Sequence, residues 1–138
     1  MKWKLTLAAL AALVVTVATP AAAGPSQEAK AVSVNFRMVE WDILPLTATK
    51  TRSTRVTFVV RNAGKMTHEF VVLKTAKAAG SLAAPGAREA PETGAQGEIE
   101  EVKPGETKRL TLSLKKGHYS LICNLPFHYG KGQFVECT

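Results

Sequence analysis

The run Arg55-Val56-Thr57-Phe58-Val59-Val60 is followed by Asn62-Ala63-Gly64 and then by His68-Glu69-Phe70-Val71-Val72-Leu73. Two β-branched and aromatic runs flank a cluster of turn formers, and this reads as strand, turn, strand, because stiff branched side chains suit a pleated surface. Upstream, Val32-Ser33-Val34-Asn35-Phe36-Arg37-Met38 alternates apolar and polar residues, the signature of a half-buried strand. Downstream, strands are expected at 97–102, 107–114, 118–123 and 133–137, with turns at Lys103-Pro104-Gly105 and Lys115-Lys116-Gly117. After the first 23 residues there is no amphipathic helical period and no internal repeat. Many short strands punctuated by Gly and Pro predict an antiparallel sandwich or barrel. The 138 residues leave room for one such domain.

The chain opens Met1-Lys2-Trp3-Lys4, continues with an apolar stretch to Ala18, and reaches Thr19-Pro20-Ala21-Ala22-Ala23 before Gly24. A basic start, a short apolar middle and small residues predict a secretory signal over 1–23, cut after Ala23, with a domain over 24–138. The uncharged run, rich in Ala and Thr, is marginal for crossing about 30 Å of hydrocarbon. A periplasmic or otherwise exported protein with no integral membrane segment after cleavage is expected. Losing Lys2 and Lys4 lowers the formal charge from +7 to +5. Scattered cations with no aromatic stripe argue against nucleic acid as a partner. Residues 74–96, rich in Ala, Gly, Pro and Glu, predict a long loop carrying little of the core.

The chemistry is concentrated in Tyr119-Ser120-Leu121-Ile122-Cys123-Asn124-Leu125-Pro126-Phe127-His128-Tyr129-Gly130-Lys131-Gly132-Gln133-Phe134. A cysteine ends a strand, a histidine follows in a loop containing Pro126, and Gln133 opens the last strand after two glycines. Such a loop can fold back so that the three side chains meet. A second imidazole is best supplied by His68, which starts a strand after a glycine-containing turn. One sulfur and two imidazoles with a weak fourth contact form the donor set of blue copper sites. His118, beside Lys115, Lys116 and Gly117, is expected in solvent. Cys123 has two other readings: a disulfide with Cys137, and a thiol nucleophile, for which no oxyanion-stabilising motif accompanies it. Gln133 either contacts the metal or fills space and bonds to backbone, and Met66 is a lesser source of a fourth ligand.

From about residue 32 to 135, the chain resembles the cupredoxins, the plastocyanin and azurin family of blue copper proteins, and their bacterial periplasmic members in particular. The likeness rests on Asn62-Ala63-Gly64 with His68-Glu69-Phe70, on Pro104-Gly105-Glu106-Thr107, and on residues 119–128. It implies an all-β, Greek-key β-sandwich holding one copper ion through His68, Cys123 and His128. Gln133 stands where the family usually has an axial methionine, as in its stellacyanin-like members. Phe127 replaces a residue that is often small in bacterial relatives. Glu69 and Asn124 are placed to link the two ligand-bearing segments and orient them. The implied function is a periplasmic one-electron carrier, a monomer and not an enzyme, that meets redox partner proteins near His128 and Phe127. Copper storage or delivery is the alternative, against which stands the lack of Met-rich or His-rich tracts. A small copper enzyme with an open coordination position is a third reading.

Overall fold

The computed structural model describes residues 30–138; the expected signal segment and its cleavage position lie outside them. Eight strands run in chain order: β1 (Val32–Val39), β2 (Asp42–Pro45), β3 (Arg55–Asn62), β4 (His68–Lys74), β5 (Ala95–Val102), β6 (Thr107–Ser113), β7 (Tyr119–Ile122) and β8 (Phe134–Cys137). The only other regular pieces among the described residues are single 3₁₀ turns at Ala79–Ser81 and Tyr129–Lys131. The strands form two four-stranded sheets, ordered β2-β1-β3-β6 and β5-β4-β7-β8. This is the β-sandwich that the strand pattern predicts. It is not wholly antiparallel, since β1 lies parallel to β3 with Val34 opposite Phe58 and Met38 opposite Asn62. Strand β2 was not expected.

Alternation decides which residues meet between the sheets. Val34, Phe36 and Met38 of β1 and Val56, Phe58 and Val60 of β3 point inward and are buried, while their neighbours are more exposed. They meet Phe70, Val72 and Leu121 of the other sheet in one core. Phe36, Phe58 and Phe70 form its centre, with ring centroids 5.6–6.2 Å apart. Burying three such rings contributes about 1.5–3 kcal/mol each.

Strands β4 and β7 depart from alternation. Val71, Val72 and Leu73 are all buried, as is every residue of β7. Their outer face is covered by the segment between β4 and β5, expected from its composition to carry little of the core. Ala90 is buried in a second cluster with Val71, Leu73, Ile122 and Tyr129, and Leu82 and Ala83 lie against it. The Tyr129 hydroxyl donates to Ala79 O at 2.8 Å and accepts from Leu82 N at 3.0 Å. The segment is therefore fastened to the loop that follows β7.

Candidate metal centre

His68 is placed by a turn with a full set of hydrogen bonds. Asn62, buried at the end of β3, donates through Nδ2 to Met66 O and Val102 O, both at 2.7 Å. Its Oδ1 accepts from Gly64 N at 2.8 Å. From the β1–β2 connection, Glu40 Oε1 accepts from Lys65 N at 2.7 Å and Met66 N at 2.8 Å. The Met66 amide, followed by the Lys65 amide, holds the Glu40 carboxyl below its usual range. His68 then enters β4 opposite Val102 with its ring fully buried.

Strand β7 carries Cys123 to the same pole, where Sγ accepts from Glu69 N at 3.2 Å. Burial pushes the thiol up to about 11, so without a metal it holds its proton. The chain then turns back on itself. His128 N donates to Leu125 O at 2.9 Å, and Gly132 takes a left-handed conformation (φ 101°) that sends Gln133 inward. Phe127 adopts φ 67°, unusual outside glycine, and its amide is held by Arg88 O at 2.6 Å. Gln133 is fully buried, and its Nε2 donates to Val39 O at 2.8 Å, which turns Oε1 toward His128.

Four donor atoms converge as a result. His68 Nδ1 and His128 Nδ1 are 3.4 Å apart, and Cys123 Sγ lies 3.9 Å and 3.2 Å from them. Gln133 Oε1 is 3.1 Å from His128 Nδ1. Donor atoms that would share one ion must stand within about 4 Å of one another, and the three separations meet that requirement. Both imidazoles are held below their usual pKa, His68 by burial and His128 by burial and then by the charge of His68. Neutral rings with Nδ1 inward are the form that binds a metal. His68 Nε2 is the one buried side-chain N or O atom without a hydrogen bond among the described residues, and Glu40 Oε1 lies 3.4 Å from it. A nearby carboxylate on the outer nitrogen favours the tautomer whose inner nitrogen is free to ligate. The residues fit one thiophilic ion of the copper type.

Glu69 and Asn124 do link the two segments. Asn124 N donates to Glu69 Oε2 at 3.2 Å, beside the Glu69 amide on Cys123 Sγ. The Asn124 side chain reaches the covering segment, accepting from Ala90 N at 2.7 Å and donating to Ala90 O at 3.0 Å and Glu92 Oε1 at 2.7 Å. Burial, and then Glu92, push the Glu69 carboxyl up to about 7.

Other residues fall elsewhere. The Met66 side chain is exposed, and only its backbone serves the site. Cys137 pairs in register with Tyr119, so Cys123 stands about 13 Å further along β7. That exceeds the reach of a disulfide, and both thiols are free. His118, expected in solvent, is half-buried: Nδ1 is 2.7 Å from Thr75 O and Nε2 is 3.5 Å from Glu136 Oε2. Two neighbours of the site were missed. Glu40 and Trp41 lie in a tight connection after β1, with Trp41 against His128, and no local spacing relates them to the ligands.

The family profile described as a cupredoxin-like domain matches residues 6–135. No curated protein sequence matches the chain. Among solved structures, auracyanin A from Chloroflexus aurantiacus, a "blue" copper protein, superposes with a TM-score of 0.56 at 21% identity, over 78% of this chain and 97% of that one. Auracyanin from Roseiflexus castenholzii gives 0.54 at 18%, over 79% and 98%. Rusticyanin from Thiobacillus ferrooxidans gives 0.60 at 15%, over 79% and 77%. At these identities the likeness is one of fold.

Proposed function

The chain belongs to the cupredoxin-like family, and on that premise we propose that it is an exported one-electron carrier with a single copper ion held by His68, Cys123 and His128, and Gln133 as a fourth contact. The observation that carries this reading is the convergence of two Nδ1 atoms, one Sγ and one amide oxygen at one buried pole of the sandwich. The likeness to auracyanin A, a blue copper protein, supports it.

Copper supplies the one-electron couple when bound. The chain keeps its donors still. His68 is fixed by strand β4 and the Asn62-centred turn, Cys123 by the Glu69 amide, and Gln133 by Val39 O. Donors fixed by backbone contacts shift little when the charge at the site changes, which keeps reorganisation small. Cys123 and His68 are both fully buried, Cys123 within the apolar core, which keeps water from them. Partners would meet the chain around His128, where Phe127 and Met66 are the exposed large apolar residues.

Optical and paramagnetic spectra of the Cu(II)-loaded protein, with voltammetry, test the reading. An intense visible thiolate band, narrow hyperfine splitting and a fast reversible couple are expected. A folded protein lacking that band would overturn it. A sluggish couple with rapid loss of copper to a chelator would replace it with copper storage or delivery.

A further inference from the structure

The pole opposite the metal centre holds a cavity of about 310 Å³ between the 50–53 loop and the 114–117 turn. Its inner wall is formed by Val56, Phe58, Leu114, Tyr119 and Cys137, all buried. The polar groups on that wall are already engaged, since the Tyr119 hydroxyl donates to Lys115 O and Cys137 Sγ donates to Thr49 O at 2.7 Å. The interior therefore offers hydrocarbon contact and no spare donor for a polar ligand.

The mouth is the reverse. Lys50, Arg52, Lys115 and Lys116 surround it, all four are exposed, and among the described residues none is in an ion pair. Four cations facing one opening repel one another and favour an anion there. We propose that this cavity takes the hydrocarbon chain of an anionic amphiphile, with its carboxylate or phosphate head on the Lys50, Arg52, Lys115 and Lys116 rim. The volume lies at the small end of ligand pockets and suits a chain of about ten atoms. The site is separate from the metal ligands, which begin β4 and follow β7 at the other end of the sandwich. Its occupancy is independent of copper.

Decanoate is the probe, titrated below its micellar concentration into ¹⁵N-labelled protein and followed by amide shifts. Saturable shifts confined to Val56, Leu114, Tyr119 and Cys137 and their neighbours are expected, with the Cys123 and His128 amides unmoved. Decanol, which keeps the chain and lacks the charge, should bind about tenfold more weakly, and so should decanoate to a Lys115→Gln/Lys116→Gln variant. The rim residues are exposed, so that variant should melt as the parent does. Arg52→Gln, on the facing loop, provides a second rim variant if it does not. Sedimentation with phosphatidylglycerol vesicles, against phosphatidylcholine, separates the sources. Rim-dependent pelleting identifies a membrane lipid, and decanoate binding without pelleting identifies a free fatty acid. Shifts that do not saturate, shifts centred on Phe127, or equal affinity for the rim variants would each overturn the proposal.

Discussion

The Trp41 ring meets the His128 imidazole edge to face, with centroids 4.9 Å apart and planes at 76°. His128 is the histidine of the candidate site nearer the surface, at 6% exposure against 0% for His68, and Trp41 shields it. Lys131 Nζ lies 3.8 Å from the centroid of the same indole. This cation–π contact contributes about 0.5–1 kcal/mol and holds the ring in place.

Trp41→Ala should therefore open the His128 edge to solvent. Capture of bound copper by an excess of chelator should speed up several-fold, while Trp41→Phe, which keeps a ring there, should stay close to the parent. Copper loading should also quench the fluorescence of Trp41, because the indole is in contact with the His128 ring. Equal release rates for parent and alanine variant would show that the ring does not control access.

Gln133 makes two separable contributions. Its Oε1 faces the site and its Nε2 donates to Val39 O at 2.8 Å. An amide oxygen is a harder donor than a thioether and favours Cu(II), so Gln133→Met should raise the reduction potential and change the hyperfine splitting. It should also cost about 1 kcal/mol in the metal-free protein, because Val39 O loses its partner. A variant with lowered stability and an unchanged potential would leave Gln133 a structural role only.

Asn62 is the residue on which the His68 turn depends. It is fully buried and makes three hydrogen bonds of 2.7–2.8 Å to backbone groups of Gly64, Met66 and Val102. Asn62→Ala strands those groups and should cost about 2–4 kcal/mol in urea unfolding. If the loss is below about 0.5 kcal/mol, water replaces the amide and the turn holds without it.

The convergence of the four side chains was legible in the sequence because it is local on one side: Cys123, His128 and Gln133 share one loop, and His68 heads a strand beside a turn. Alternation at Val56, Phe58 and Val60 likewise shows which face is buried. Alternation does not name a partner, so the parallel pairing of β1 with β3 was not readable. The covering segment was misjudged because its buried residues, Ala79 and Ala90, are too small to stand out in a hydropathy pattern, although they close the outer face of β4 and β7. Glu40 and Trp41 reach the site only through tertiary folding.

Glu136 gives an acid dependence of stability remote from the metal. The Ala79 amide first, and His118 second, hold its carboxyl below the usual 4.5. A carboxylate with a depressed folded pKa stabilises above its unfolded value and loses that contribution as pH falls through the folded one. Parent protein should exceed Glu136→Gln in urea midpoint at pH 6–7, and the two curves should converge as pH drops below about 4.5. A gap that persists unchanged into acid would mean that the substitution acts through packing.

Gly130 sits where the loop after β7 touches the 86–87 turn. A Cβ there would stand 2.3 Å from Ala87 O and 2.8 Å from Gly86 C, both backbone atoms that cannot rotate away. Gly130→Ala must push the 86–87 turn off the loop carrying His128, at a cost of about 1–3 kcal/mol. The nearby bonds Phe127 N to Arg88 O and Ala90 N to Asn124 Oδ1 would loosen with it. Hydrogen exchange should then quicken at Phe127 and Ala90 while the amides of β3 and β6 keep their protection. Uniform quickening across both sheets would indicate global destabilisation instead of local separation, and unchanged exchange would mean that the turn yields at no cost to the site loop.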